Sequence, residues 1–210
     1  MSLAKHAIAL ALSASLPIAA HATTPVNNFN FYVAGGSLID TVSNAPSYIS
    51  GNLQLIVRAF DAAGKQIQVT SNFTGLGATT GGLFASGDIN GSNSSSGEYL
   101  TLTFNQAVNI SSVSLSGWSN GLFGIGTESA TFSSPTKSFS FGTNNDSGLL
   151  LSAFSTTGAT GTTFKLQALG SSDFRLGGLN ATVAVPEPGS YALMALGLAG
   201  IGLVARRRAA

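Results

Sequence analysis

Apolar residues alternate with polar ones through most of the chain, and this period of two constrains the fold more than any other feature. In residues 97–104, two leucines and a phenylalanine alternate with threonines. Residues 53–60 alternate in the same way, and the Asp-Ala-Ala-Gly sequence after them predicts a hairpin with residues 65–70. Alternation puts one row of side chains on each face of a strand, so one face packs and the other meets water.

The whole pattern predicts an all-β body made of roughly nine to eleven short strands. Separate strands are expected around residues 100–104 and 113–115, with turn-rich sequence between strands. Turn signals at this spacing favour an antiparallel β-sandwich of the jelly-roll type. About 160 residues are enough for one such domain. The chain has no cysteine, so the core must hold the domain without disulfides.

The body lacks the residue types that most catalytic sites need. Both histidines, His6 and His21, lie close to the start of the chain, and there is no cysteine. These absences exclude a Ser-His-Asp triad, a thiol nucleophile and a conventional zinc site from the body. We therefore expect a protein that is not an enzyme and has no cofactor or metal. A hydrolase that uses two carboxylates stays open, and it requires two acids within roughly 10 Å of each other in one cleft.

The charge of the chain is unevenly distributed. The formal net charge is +1, yet the body between the two terminal segments has five basic and seven acidic side chains, a formal charge of −2. Nucleic-acid binding requires a basic patch or stripe. No nucleic-acid partner is expected.

Residues 1–22 have the composition of an export signal. A lysine near the start is followed by an apolar stretch from Ala7 to Ala20, and Ala20-His21-Ala22 fits the small-x-small cleavage rule. The pattern predicts a helical signal peptide that is cleaved after Ala22. An N-terminal membrane anchor is the alternative, and Pro17 and the small residues count against it.

The end of the chain combines three parts without a gap. The first is Val185-Pro186-Glu187-Pro188, in which the prolines predict a stiff, extended and accessible strip. An uncharged segment follows, and Arg206, Arg207 and Arg208 come after it. The uncharged segment consists of Tyr191, Ala192, Leu193, Met194, Ala195, Leu196, Gly197, Leu198, Ala199, Gly200, Ile201, Gly202, Leu203, Val204 and Ala205.

The uncharged segment predicts a single, marginal transmembrane helix. With Ser190 as its cap it would be roughly 24 Å long, which is short of the roughly 30 Å hydrocarbon core. The arginines would stay in the cytoplasm, so the body would lie on the other side of the membrane. A permanent single-span anchor and a buried core helix are the alternatives.

These three parts, in this order, resemble the PEP-CTERM sorting signal. The resemblance implies that an exosortase, a membrane-embedded cysteine transpeptidase, recognises the motif from Val185 to Pro188 and cleaves near it. It implies a transient stay in the inner membrane, followed by export to the surface or extracellular matrix of a Gram-negative bacterium. The strand at residues 97–104 also resembles a Gly-Glu-x-Leu-x-Leu-x-Phe strand of β-sandwich bodies in PEP-CTERM proteins. The same tail occurs on many unrelated domains, so it does not define what the body does.

The chain thus divides into a signal peptide (1–22), a β body (23–184) and a sorting signal (185–210). The expected role is structural, in an exopolysaccharide or biofilm matrix. A carbohydrate-binding or adhesive module and a permanently anchored periplasmic domain are the alternatives.

Two features of the body are candidate binding sites. The segment from Asp88 to Glu98 offers carboxylate and hydroxyl oxygens of the kind that calcium binds, although its spacing departs from the EF-hand pattern. Its alternative role is a plain loop between strands. Trp118, in a Gly-Trp-Ser-Asn-Gly segment, is a candidate stacking platform for a sugar ring. Its alternative role is to close one end of the core.

Overall fold

The described part of the chain is built almost entirely from antiparallel strands. The computed structural model describes residues 25–33, 39–81, 87–91, 97–118, 128–142, 151–185, 194–199 and 201. The predicted signal peptide, with Ala20 and Ala22, lies outside these residues. The strands are β1 (Val26–Asn30), β2 (Thr41–Ser43), β3 (Ser47–Ser50), β4 (Leu53–Phe60), β5 (Gln66–Asn72), β6 (Gly75–Thr79), β7 (Ile89–Asn90), β8 (Tyr99–Ser116), β9 (Ser129–Ser133), β10 (Ser138–Phe141), β11 (Leu151–Leu169) and β12 (Asp173–Val183).

The hairpin predicted from Leu53 onward is confirmed as β4 and β5. The Asp61 amide donates to the Lys65 carbonyl at 3.0 Å, and the Asp61 carboxylate accepts from the amides of Ala63 and Lys65. Gly64 has a φ of +83°, a value that side-chain-bearing residues rarely adopt. The turn chemistry of this segment therefore matches its sequence signal.

The prediction of short, separate strands is wrong for β8 and β11, which have 18 and 19 residues. The segments around residues 100–104 and 113–115 belong to one strand, because β8 pairs with β11 along nearly its whole length. Between the two apolar segments, Val108 and Ile110 are buried as well, so the strand contributes to the core along its length. Two register shifts, between Ser155 and Ala159 and between Gly161 and Thr163, let this long pair bend.

The bending of β8 closes the sheet. Its first half pairs with β4 and its second half pairs with β12. The path β12–β6–β5–β4–β8 thus returns to β12, while β11, β9 and β10 extend from β8 and β1 borders β12. The antiparallel all-β class is confirmed. The strands form one continuous closed sheet, whereas a sandwich would have two separate sheets.

The buried faces of the strands are those that the alternation predicted. Leu53, Leu55 and Val57 of β4 are fully buried, as are Leu100 and Leu102 of β8. Aromatic rings link the layers of this core. Ring pairs there include Phe104 with Phe164 at 5.8 Å and Phe164 with Phe132 at 5.7 Å between centroids.

The C-terminal segment is described only in part. Residues 194–199 and 201 are helical, and their side chains are exposed, with Met194, Leu196, Leu198 and Ile201 between 61% and 69% accessible. A buried core helix is therefore wrong for these residues. No helix in the described ranges is long and apolar enough to cross a membrane. About half of the predicted span from Tyr191 to Ala205 lies outside the described residues, as do Pro186, Glu187, Pro188 and the three arginines.

Candidate functional site

The last strand of the body leads directly into the C-terminal segment. β12 ends at Val183, and the Ala184 amide donates to the Ala107 carbonyl at 2.9 Å. Val185, the next residue, is 58% exposed. The chain therefore passes from a paired strand to an exposed residue within two positions.

The first strand of the body lies against the last one. β1 and β12 are antiparallel neighbours, with Val26 opposite Thr182. Val26 is four positions after Ala22, where the signal peptide is predicted to end. The two ends of the body thus emerge next to each other, at the same end of the sheet.

Trp118, the candidate sugar platform, belongs to the core. It follows β8, and its side chain is only 7% exposed. Its ring contacts Phe154 and Phe174 with centroids at 5.0 and 5.3 Å. These contacts fit the alternative role, in which the ring closes one end of the core, and they leave little of the ring for a ligand. The indole Nε1 has no hydrogen-bond partner among the described residues.

The carboxylates of the candidate calcium segment have partners within the protein. The Glu98 amide donates to the Asn90 carbonyl at 2.8 Å, and the Asn90 amide donates to Glu98 Oε2 at 3.0 Å. Asp88 Oδ1 accepts from Arg175 Nε. The described ranges contain no group of three or more acidic, histidine or cysteine side chains placed to hold a metal ion. Residues 92–96 of this segment lie outside the described residues.

Arg175 was not among the residues predicted from the sequence, although it forms ion pairs with two acidic residues. Its side chain is nearly buried, and its guanidinium donates to both Asp88 and Asp40. The available signal was a single charge inside the apolar run Phe174-Arg175-Leu176 at the start of β12. A buried charge requires a partner, so this position could have been flagged without the structure.

Acidic side chains that are scattered in sequence gather near the start of β12. The Asp173 amide donates to Glu128 Oε2 at 2.8 Å. Burial raises the pKa of Glu128, and the Asp173 charge adds to the increase. Burial likewise raises the pKa of Glu98, with smaller contributions from Asp173, Asp61 and Asp88 and an opposing hydrogen bond from Asn90.

The tail of the chain matches a known family. A family model described as the PEP-CTERM protein-sorting motif matches residues 184–208. The chain carries a PEP-CTERM sorting motif. The match starts at Ala184, whose amide still bonds to the body at Ala107. No curated protein matches the chain.

The PEP-CTERM motif confirms the resemblance seen in the sequence and is consistent with an exosortase substrate. It implies an exported protein whose processing partner is an exosortase. The matched residues leave β1 to β12 outside the motif, so the motif assigns no activity to the body.

Proposed function

We propose that this protein is a non-enzymatic structural component of an exopolysaccharide matrix. A signal peptide of residues 1–22 directs it across the inner membrane. The segment from Tyr191 to Ala205 holds it there, with the arginines in the cytoplasm. An exosortase then cleaves near Pro186–Pro188 and transfers or releases the body to the cell surface or matrix.

One observation carries this proposal: the PEP-CTERM motif follows the last paired strand without a linker. Processing in the motif would leave only a few residues beyond a complete sheet, so the body would keep all its strand pairs. The exposed apolar side chains at residues 194–199 support a membrane environment for the tail, because apolar surface of this kind is unfavourable in water. Adjacent positions for β1 and β12 also suit a precursor that is held at the membrane by both ends.

The decisive experiment is C-terminal peptide mass spectrometry on protein recovered from the native cell surface and medium. We expect the mature chain to end near residues 186–190, or to carry an added mass there. Peptides that extend to Arg206 in the mature protein would instead establish a permanent anchor.

A variant pair sharpens this experiment. Glu187→Ala removes the charge of the motif and should leave the full-length chain in the membrane fraction. Lys137→Ala, at an exposed charge on the body, should be processed like the wild type. Equal processing of both variants would contradict recognition through Glu187.

A further inference from the structure

The sheet splits beside β5 and forms a polar groove there. β4 and β5 pair only through Ala59 with Ile67 and Phe60 with Gln66. Beyond this point β2 pairs with β5 and β3 pairs with β4, so the segment between β2 and β3 crosses the split. A cleft of about 410 Å³ lies along β5, and a second of about 310 Å³ adjoins it. Gln68 and Thr79 line both clefts, so the two clefts form one groove.

Side-chain amides and hydroxyls are the commonest polar groups along the groove. Its first part is lined by Asn44, Asp61, Lys65, Gln66, Ile67, Gln68, Thr79 and Thr80. A side-chain amide offers both donors and an acceptor, and a hydroxyl offers both as well. Such a lining is complementary to a ligand that is rich in hydroxyl groups, since each hydroxyl of the ligand also donates and accepts.

Several of these groups retain capacity for a ligand. Gln66 Nε2 donates to the Asn44 carbonyl at 3.1 Å, which leaves its Oε1 available. Asp61 Oδ1 accepts the two amides of its own turn, which leaves Oδ2 available. The side-chain amide of Gln68 and the ammonium of Lys65 have no hydrogen bond to another described residue.

The charges of the groove nearly cancel. Lys65 and Asp61 have opposite signs, and Asp40 in the second part is paired with Arg175. A strongly anionic polymer would need a cluster of cations, which this lining does not provide. The groove therefore favours a neutral chain over a polyuronate or a nucleic acid.

The position of β5 argues against a peptide ligand. A peptide that adds to a sheet needs a free strand edge. β5 is paired with β6 on one side and with β4 and β2 on the other. The apolar side chains of the described lining are Ile67, which belongs to the core and is 9% exposed, and Val42, which is 54% exposed, so the groove offers one exposed apolar side chain and no row of them for a peptide.

Aromatic surface adjoins the groove at the Asp61 end. Phe60 is opposite Gln66, so the two side chains share a face of the sheet. The half-buried Phe60 ring stacks on Tyr99 with a centroid distance of 5.0 Å. This pair supplies apolar surface beside the polar lining, the combination that small-molecule sites commonly have.

We infer that this groove binds a neutral polysaccharide. The inference rests on the proposed matrix role, because it names the matrix component that the body contacts. Each part of the groove is at the lower end of the roughly 300–1,000 Å³ range of ligand pockets, which suits one or two sugar units of an extended chain.

Affinity electrophoresis of the mature protein tests the inference with named probes. The gels contain a neutral glucan, a neutral mannan or a neutral galactan, and alginate serves as the anionic comparison. We expect retardation by at least one neutral polymer. The double variant Gln66→Ala/Gln68→Ala should weaken that binding about tenfold or more, because two amide hydrogen bonds are lost.

Gln54→Ala is the matched control, since Gln54 is an exposed glutamine on β4 that does not line the groove. It should bind like the wild type. Thermal unfolding of all three proteins shows whether each is folded. Absence of binding to every neutral polymer, stronger binding to alginate, or equal losses in the control and the double variant would overturn the inference.

Failure of glycan binding can be distinguished from failure of the proposed function. A mature chain that ends near residues 186–190 but binds no glycan overturns only the groove. A mature chain that keeps Arg206 overturns the exosortase route, whatever the groove binds.

Discussion

The guanidinium of Arg175 holds the carboxylate of Asp40 with two hydrogen bonds, although the residues are 135 positions apart in the chain. Nη1 donates to Oδ1 at 2.9 Å and Nη2 donates to Oδ2 at 3.2 Å. The same side chain donates to Asp88 through Nε. One buried residue of β12 thus fixes the residue just before β2 and the residue just before β7.

Replacing Arg175 should destabilise the body strongly. Removing one partner of a buried ion pair leaves charge without compensation and costs about 3–5 kcal/mol. The carboxylates of Asp40 and Asp88 are about one-third exposed and can regain water, so we expect about 2–3 kcal/mol for Arg175→Met. The urea midpoint of unfolding measures this loss. Lys137→Met is the control and should stay within about 0.5 kcal/mol of the wild type; a similarly small effect at Arg175 would contradict the prediction.

A pair of glycines tests the close packing of β6 against β12. Gly75 has a φ of +139°, and an added Cβ would lie 2.9 Å from the Leu176 carbonyl carbon and closer to its oxygen. Gly75→Ala should therefore destabilise the protein by at least about 2 kcal/mol, through backbone strain and overpacking. No atom of the described residues, apart from its chain neighbours, lies within 4 Å of the Cβ position at Gly142, so Gly142→Ala should be neutral or slightly stabilising. Chemical denaturation of both variants measures these changes in the free energy of unfolding. Equal changes for the two variants would contradict the close packing at Gly75.

The single tryptophan reports on its own burial. Because Trp118 packs against Phe154 and Phe174, its emission should be blue-shifted and poorly quenched by iodide. Trp118→Ala should cost about 3–5 kcal/mol because it leaves a large cavity. Trp118→Phe should cost less, since it keeps aromatic packing and removes the indole N–H. Red-shifted, readily quenched emission from the folded protein would show an exposed ring instead.

The pKa of Glu98, raised mainly by burial, predicts a pH-dependent loss of stability. A carboxyl whose pKa is higher in the folded state binds its proton more tightly there, so its contribution is most favourable below the ordinary pKa of 4.5. That contribution is lost as the pH rises through the raised value. Glu98→Gln cannot ionise, yet its amide oxygen can still accept from the Asn90 amide. We therefore expect this variant to gain stability over the wild type as the pH rises from about 4 to 7.

Unfolding free energies of the wild type and Glu98→Gln at several pH values test this expectation. The difference between the two curves isolates Glu98 from the other carboxylates. A difference that is constant with pH, or one that favours the wild type at neutral pH, would contradict it.

Local pattern in the sequence was sufficient for several features. The alternation predicted which faces of β4 and β8 are buried, because the side chains of a strand point to opposite faces in turn. The Asp61–Gly64 turn was predictable because its hydrogen bonds join residues at most four apart. The PEP-CTERM motif was recognisable because its prolines, apolar segment and arginines are contiguous.

Only the tertiary structure decided which strands meet. A period of two indicates a face but carries no information about the partner, so the continuity of β8 and the closure through β12 were not predicted. For the same reason, the sequence did not predict the Arg175–Asp40 pair, the positions of Glu98 and Glu128 near β12, or the groove along β5. Each of these depends on the register of strands that are distant in the chain. That register is set by how the apolar faces pack together, and local sequence does not specify it.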